Sequence, residues 1–157
     1  MVASEFARRG FTVALPTGNA RDIDILAYRN GKNIAVQVKS ISKGALQVNL
    51  GKFLNVDFDE ETEKQIVRGP RLDLDNDICF VIVFLGERLG EDRFYYATLE
   101  AFVEVLRSHH VGYLEKHDGK RPGQNKTSKH AALTRTQIED SGEFCCLDEF
   151  LERLDSE

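Results

Sequence analysis

The chain has 157 residues, of which 26 are acidic and 21 are Lys or Arg, so its formal net charge is −5. This charge argues against a protein that coats nucleic acid nonspecifically, although a local basic surface can still hold a phosphate backbone. The sequence contains no run of about 18 apolar residues and no basic-then-apolar N-terminus. We therefore expect a cytoplasmic protein without a membrane span, and the length predicts a single domain, residues 1–157.

The N-terminal region is predicted to form a short helix and a first strand. Residues 2–9 have an amphipathic pattern that stops at Gly10, and the Phe11–Leu15 segment is typical of a strand. A turn is expected at residues 16–19, where Pro, Thr, Gly and Asn follow one another. The three cysteines of the chain have no CxxC spacing, so we expect neither a disulfide framework nor a zinc ribbon.

Residues 21–40 predict a β-hairpin, because two runs rich in aliphatic residues flank Asn30-Gly31, a strong signal for a two-residue turn. With this turn, the numbers of paired residues sum to sixty-one. Asp24 is then expected to face Gln37, and Asp22 to face Lys39. Side chains alternate along a strand, so these polar residues share one face while the aliphatic residues point to the other.

Further strands and a helix are predicted beyond the hairpin. Residues 41–50 suggest a strand, and residues 59–68 suggest a charged short helix or loop that ends before Gly69-Pro70. The continuous apolar run over residues 78–85 predicts a central strand covered on both faces. A strand at residues 94–97 should precede a helix capped by Thr98, whose apolar residues follow helical spacing.

The last third of the chain is predicted to contain a basic loop and two helices. Glycines and polar residues favour a loop between His109 and Ser128, with the basic part at about 112–130. The basic residues expected to contact phosphates, or alternatively only to keep a flexible surface soluble, are Lys43, Lys120, Arg121 and Lys126. A capping box starting at Thr134 or Thr136 predicts a short helix, and an apolar stripe predicts another at about 147–155.

This order of elements predicts an α/β or α+β domain with a mixed central sheet flanked by helices. Asp24, followed after twelve residues by Gln37-Val38-Lys39, resembles the PD-(D/E)XK nuclease superfamily of restriction enzymes and Holliday junction resolvases. The match is to a branch in which Gln takes the acidic place, and it covers about the first third of the chain. The resemblance implies a restriction-endonuclease-like fold and DNA as the partner.

The resemblance also implies a metal site. Mg²⁺ or Mn²⁺ would be held by Asp24, by the side-chain carbonyl of Gln37 and by the backbone carbonyl of Val38. Lys39 would orient or help deprotonate the attacking water. Further acidic ligands would be Asp22 or, from the preceding helix, Glu5, whose alternative role is that of a solvated helix residue. No small-molecule cofactor is expected, and a homodimer is implied because a duplex has two strands to cut.

Three functions remain open from the sequence. The first is an active metal-dependent deoxyribonuclease that uses Asp24, Gln37 and Lys39. The second is a module that keeps the nuclease fold, with weak or lost chemistry, and binds nucleic acid or a protein. In the third, these residues are ordinary polar side chains on the solvent side of a half-buried hairpin.

Overall fold

The computed structural model describes residues 1–17, 22–74, 77–88 and 90–156. The chain separates into two compact units: unit 1 contains the described parts of residues 1–44, 75–102 and 142–157, and unit 2 contains residues 45–74 and 103–141. The single domain predicted for residues 1–157 stays a prediction, because two compact units can still belong to one domain. The turn predicted at residues 16–19 extends beyond the described residues at its last two positions.

The chain forms four helices and nine strands within the described residues. In chain order these are α1 (Val2–Arg8), β1 (Thr12–Ala14), β2 (Ile25–Arg29), β3 (Lys32–Ile41), β4 (Leu46–Asn49), β5 (Leu54–Asp59), β6 (Lys64–Pro70), β7 (Ile78–Phe84), β8 (Arg93–Thr98), α2 (Leu99–Lys116), β9 (His130–Leu133), α3 (Arg135–Asp140) and α4 (Leu147–Ser156). A 3₁₀ helix, Leu50–Lys52, follows β4. None of the described helices is long and apolar enough to cross a membrane.

Unit 1 is built on a five-stranded sheet with the order β1-β2-β3-β7-β8. Strands β3 and β7 are parallel, whereas the other neighbouring pairs are antiparallel. The predicted mixed α+β fold with a central sheet is therefore confirmed. The apolar run that was predicted to be central forms β7, which is buried on both faces as expected, but the middle strand is β3.

The β2–β3 hairpin has the predicted turn. Both central residues, Asn30 and Gly31, adopt positive φ angles of 52° and 85°, which is the conformation that their side chains tolerate best. The pairing runs from Arg29 opposite Lys32 to Ile25 opposite Val36, so the predicted register is confirmed over the whole of β2.

The two faces of the unit 1 sheet are covered differently. On one face, Val36 and Val81 belong to a buried apolar cluster that includes Phe6 of α1 and Phe150 of α4. On the other face, the ring of Phe80 in β7 stacks on the ring of Phe102 in the first turn of α2. Towards β1 and β2 this second face is open, and Leu26 and Tyr28 are 43% and 49% exposed. Gln37 lies on this second face because it alternates with Val36.

Unit 2 contains two antiparallel strand pairs, β4–β9 and β5–β6. The helix or loop predicted over residues 59–68 is therefore wrong from Lys64 onward, where β6 runs, although residues 60–63 do form a turn. Leu54 and Val56 alternate with exposed residues along β5, and the carboxylate of Asp59 accepts the backbone N–H groups of Glu61 and Thr62, which closes the turn. The strand predicted over residues 41–50 is shorter than expected, because β3 continues to Ile41 and β4 begins at Leu46.

The loop predicted from His109 is also shorter than expected. Helix α2 continues to Lys116 because His110 and Leu114 are buried on its inner side, and Gly112 does not interrupt it. The connecting loop therefore spans residues 117–129. The predicted caps are present: the Thr98 hydroxyl accepts the N–H of Ala101, and Thr134 forms a capping box at the start of α3. Helix α4 lies where the apolar stripe predicted it.

Candidate active site at the end of the hairpin

The polar residues of the hairpin meet where β2 begins. The backbone N–H of Asp24 donates to the carbonyl of Val36 at 2.8 Å, although Val36 already pairs with Ile25. Two residues of one strand thus face one residue of the other, which is the count of a β-bulge. This irregularity corrects the prediction that Asp24 lies directly opposite Gln37. Instead, the Asp24 carboxylate turns toward the next residue and accepts the N–H of Val38 at 2.7 Å.

Asp22 also differs from its predicted position. It lies outside β2, with a φ of 64°, so the regular ladder that would have placed it opposite Lys39 does not extend so far. Its carboxylate instead accepts a hydrogen bond from Nε2 of Gln37 at 3.1 Å. The fold therefore brings Asp22 to the side-chain amide of Gln37, and Gln37 itself is only 7% exposed.

Lys39 lies two residues beyond Gln37 on β3 and therefore shares its face of the sheet. Its side chain is partly exposed, and it forms no ion pair with any residue that the structure describes. A partly exposed lysine without a carboxylate partner keeps its ammonium group available for an anionic ligand. Of the predicted catalytic residues Asp24, Gln37 and Lys39, Lys39 is the one whose side chain forms no hydrogen bond within the described residues.

The residues at this site fit a hard divalent ion that retains much of its water. One oxygen of Asp24, one oxygen of Asp22 and the Oε1 atom of Gln37 form no hydrogen bond within the described part of the chain. The Val38 carbonyl points to the same side of β3 as its N–H, because both groups of a strand residue face one neighbour. Mg²⁺ needs only one or two protein carboxylates when water and phosphate complete its octahedron.

The fit excludes a metal that needs many protein ligands. Among residues 1–17, 22–74, 77–88 and 90–156, no three His, Cys, Asp or Glu side chains converge on one point. A structural zinc site with four protein ligands therefore finds no place in the described chain. The oxygen atoms at the start of β2 come from Asp22, which is bonded to Gln37, and from Asp24, which is bonded to the adjacent Val38.

Glu5 lies in a different environment from the one predicted for a metal ligand. Its carboxylate accepts hydrogen bonds from Arg9 at 3.0 Å and from Arg8 at 3.3 Å. Arg9 also holds Asp148 of α4, and this arginine lowers the pKa of the Asp148 carboxyl group. The helix that carries Glu5 packs on the face of the sheet opposite to Gln37. Glu5 thus belongs to an ion-pair cluster that joins α1 to α4.

Three of the four predicted phosphate-binding cations interact with other residues of unit 2. Lys126 forms an ion pair with Glu63 at 2.7 Å, and Lys120 lies 4.0 Å from the same carboxylate. Lys126 is the main cause of the lowered pKa of Glu63. Arg121 donates to the backbone carbonyl of His130 at 2.7 Å, and Lys43 is exposed in unit 1. Two of the four predicted cations are therefore partly neutralised.

A buried polar network that the sequence analysis missed anchors the loop of unit 2. Nε2 of Gln65 donates to the carbonyls of Lys126 and Ser128 at 2.8 and 3.0 Å, and its Oε1 lies 2.9 Å from Nε2 of His110. Burial, with smaller contributions from nearby Arg121 and His109, lowers the pKa of His110 to about 4. His110 is thus a neutral structural donor. No local sequence pattern indicates this role, because the hydrogen-bond partner of His110 is Gln65, 45 residues away in the sequence.

Comparison with known proteins adds little to this description. No known family profile matches the chain, and no curated protein matches it. Among solved structures, the chain is similar to a bacterial homing endonuclease, I-Ssp6803I, with 21% identity over 66% of this chain and 68% of that chain and a TM-score of 0.38. A likeness at this score carries no argument about function, so the fold assignment rests on the sheet described above.

Proposed function

We propose that the protein is a metal-dependent endonuclease that hydrolyses DNA phosphodiester bonds at the start of β2. The observation that carries this proposal is that two carboxylates are hydrogen-bonded to adjacent residues of β3, one to the buried Gln37 amide and the other to the Val38 N–H. Asp24 is held by the N–H of Val38, and Asp22 is held by Gln37, in the segment that also presents Lys39. These groups come from β3 and from the segment that leads into β2, and they provide oxygen atoms together with an ammonium group.

The carboxylates and the amide would hold the ion. Asp24 is the best-positioned ligand, because its hydrogen bond to a strand backbone fixes the carboxylate without burying it. The Gln37 oxygen and the Val38 carbonyl are the neutral ligands beside it. When Mg²⁺ or Mn²⁺ is bound, it supplies polarisation of the phosphoryl oxygen, a more acidic water and neutralisation of the leaving oxygen.

Lys39 would act on the water and on the phosphate. An ammonium group two residues beyond the amide can orient the attacking water or help to remove its proton, and it can stabilise negative charge that develops on the phosphoryl oxygens. Its lack of an ion-pair partner among the described residues supports this role, because a lysine already paired with a carboxylate would have to break that ion pair before it could act on the substrate.

Asp22 can supply the negative charge that the motif lacks at Gln37. A glutamine in the acidic position removes one negative charge from the surroundings of the ion, which should weaken its binding. The hydrogen bond from Gln37 holds the Asp22 carboxylate beside that position, so a second charge is available from the segment that precedes β2. We propose Asp22 as the residue that compensates for the glutamine.

A second candidate function is a module that binds nucleic acid or a protein without turnover. The small number of carboxylates at the site favours this alternative. The third reading, ordinary solvent-facing side chains, is disfavoured by Gln37, since an amide that is only 7% exposed and bonded to a carboxylate is not a casual surface residue. A homodimer that presents one site to each DNA strand forms part of the nuclease proposal.

The proposal is tested by calorimetric titration of Mn²⁺ together with a plasmid-nicking assay. Asp24→Asn retains an oxygen that can accept the Val38 N–H, so the variant should fold while it loses the charge. We expect metal binding and nicking both to disappear in this variant. Asp140→Asn, on the exposed end of α3, is the matched control and should bind and cut like the wild type.

Two results would overturn the nuclease proposal. The first is a folded wild type that binds no Mn²⁺ and cuts nothing, which would favour the binding module. The second is an Asp24→Asn variant that nicks DNA at the wild-type rate, which would remove the hairpin from the chemistry.

A further inference from the structure

The acid-free parts of unit 2 are brought together by strand pairing. In a chain with 26 acidic residues, none lies between Asp24 and Asp57, and none lies between Asp118 and Glu139. Strand β4 comes from the first of these stretches and β9 from the second, and the two strands pair with each other along their whole length. We call this pair the β4–β9 ribbon. It contains no acidic residue.

One face of the ribbon is polar and exposed. Gln47 lies opposite Ala132, and Asn49 lies opposite His130, and all four residues are exposed. The opposite face is buried and consists of Leu46, Val48, Ala131 and Leu133. The buried face fixes the backbone of the ribbon, and the exposed face presents amide and imidazole groups to the solvent.

Two lysines flank the end of the ribbon where Asn49 and His130 pair. Lys52 follows in the 3₁₀ helix, and Lys129 precedes β9. Lys129 is held near that helix, since its backbone carbonyl accepts the N–H of Leu50 and its side chain passes close to Gly51. Lys52 and Lys129 form no ion pair with any described residue, in contrast to Lys126 and its Glu63 partner.

We propose that the β4–β9 ribbon enters the major groove of duplex DNA and reads base edges there. This inference deepens the proposed function, on which the choice of DNA rests. A two-stranded ribbon fits the major groove of B-DNA, whereas the deep and narrow major groove of an RNA helix does not admit side chains. The lysines at the end of the ribbon contact phosphates, which fix the position of the protein along the duplex.

The side chains of the ribbon have distinct roles in this contact. The side-chain amide of Gln47 has no hydrogen-bond partner among the described residues, so both its oxygen and its NH₂ group are available for the bidentate contact that glutamine makes with adenine. The Oδ1 atom of Asn49 already accepts the N–H of Gly51, which leaves only its NH₂ group as a donor. Gln47 is therefore the main residue that recognises a base edge, and Asn49 and His130 make additional contacts.

The test is selection of preferred sites from a random DNA duplex library, in buffer that contains a chelator so that no cleavage can occur. We expect the wild type to select sites with an adenine that Gln47→Ala no longer prefers, with about 5- to 150-fold lower discrimination at that position. Gln124→Ala removes the same amide in the loop outside the ribbon, and it should keep the wild-type preference.

The lysines are tested by the salt dependence of binding to the selected duplex. Lys52→Ala and Lys129→Ala should each weaken binding to all sequences and reduce the slope of log K against log salt by about 1. Lys116→Ala, at the end of α2, is the charge-matched control and should leave the slope unchanged. Circular dichroism melting of each variant shows that the fold is retained.

The outcomes separate this inference from the proposed function. Unchanged preference and salt slope in the ribbon variants, absence of binding to any duplex, or equal binding of an RNA helix would overturn the ribbon contact, even if Mn²⁺-dependent nicking persists. Selective binding through the ribbon without nicking in Mn²⁺ would instead overturn the nuclease proposal and leave the DNA-reading surface in place.

Discussion

The polar end of the β2–β3 hairpin and the exposed face of the β4–β9 ribbon both involve two antiparallel strands, but the charged residues beside them have opposite signs. The hairpin end presents the carboxylates of Asp22 and Asp24, each held by a hydrogen bond from β3. The ribbon has no acid, and at one end it is flanked by Lys52, which follows β4, and by Lys129, which precedes β9. The first surface suits a divalent cation, and the second suits a polyanion. In our two proposals, catalysis and DNA recognition therefore reside on different strand pairs.

The largest effect that would separate the two surfaces is expected from Lys39→Ala. Loss of a positioned proton-transfer group should lower kcat by roughly 10² to 10⁴, while KM for DNA changes little because Lys39 is proposed to act in the transition state. Steady-state cleavage kinetics measure both constants. Wild-type kcat in this variant would remove Lys39 from the mechanism, and a large rise in KM alone would place it with the binding residues.

Acid should weaken unit 2 more than unit 1. All four histidines of the chain lie in unit 2, at positions 109, 110, 117 and 130. The pKa of His110 is lowered to about 4 by burial, so the neutral form stabilises the fold. The stabilisation is complete above the unfolded pKa of about 6.5, and it is lost as the pH falls toward 4, by up to about 3 kcal/mol.

Hydrogen exchange, corrected for its intrinsic pH dependence, measures this difference strand by strand. Protection of β4, β5, β6 and β9 should fall between pH 7 and pH 4, while protection of β2, β3 and β7 changes less. His110→Gln should flatten the pH dependence, whereas His117→Gln, an exposed position, should not. Equal loss of protection in both units would contradict an acid-sensitive anchor confined to unit 2.

The smallest effect is expected from Gln37→Glu, which restores an acid in the motif. Without metal, the new carboxylate loses the hydrogen bond to Asp22 and repels it, so the free energy of unfolding should fall by about 1–3 kcal/mol. Added Mn²⁺ should recover this loss, because the extra charge strengthens ion binding. Thermal melting with and without Mn²⁺ decides the question, and a destabilised variant that no Mn²⁺ concentration rescues would speak against an ion at this site.

The prediction of the hairpin succeeded where the signal was local. Asn30 and Gly31 supply the positive φ angles of the turn within two residues, and the register follows from that turn as far as Ile25. It failed one residue later, because the backbone of Asp24 bonds to Val36 and not to the next residue along. An irregularity of this kind depends on where the chain has to go next, and residue alternation contains no sign of it.

The prediction of unit 2 failed because its deciding contacts are not local. Residues 59–68 carry many charges and no apolar alternation at their start, so a strand was not indicated. The structure makes Gln65 a buried strand residue, since His110 and the carbonyls of the loop satisfy its amide from positions 45 to 63 residues away. The pairing of Lys126 with Glu63 across 63 residues is equally hidden from the sequence.

The sequence by itself determined the turn at Asn30-Gly31, the buried strand β7, the caps of α2 and α3, and the spacing of Asp24, Gln37 and Lys39 along the hairpin. These features depend on backbone angles, side-chain alternation and hydrogen bonds within a few residues. Only the tertiary structure decided that Asp22 is hydrogen-bonded to Gln37, that Glu5 forms ion pairs with Arg8 and Arg9, and that two acid-free stretches pair into one ribbon. Such partners are selected by burial and charge between distant segments, and those become neighbours only when the chain folds.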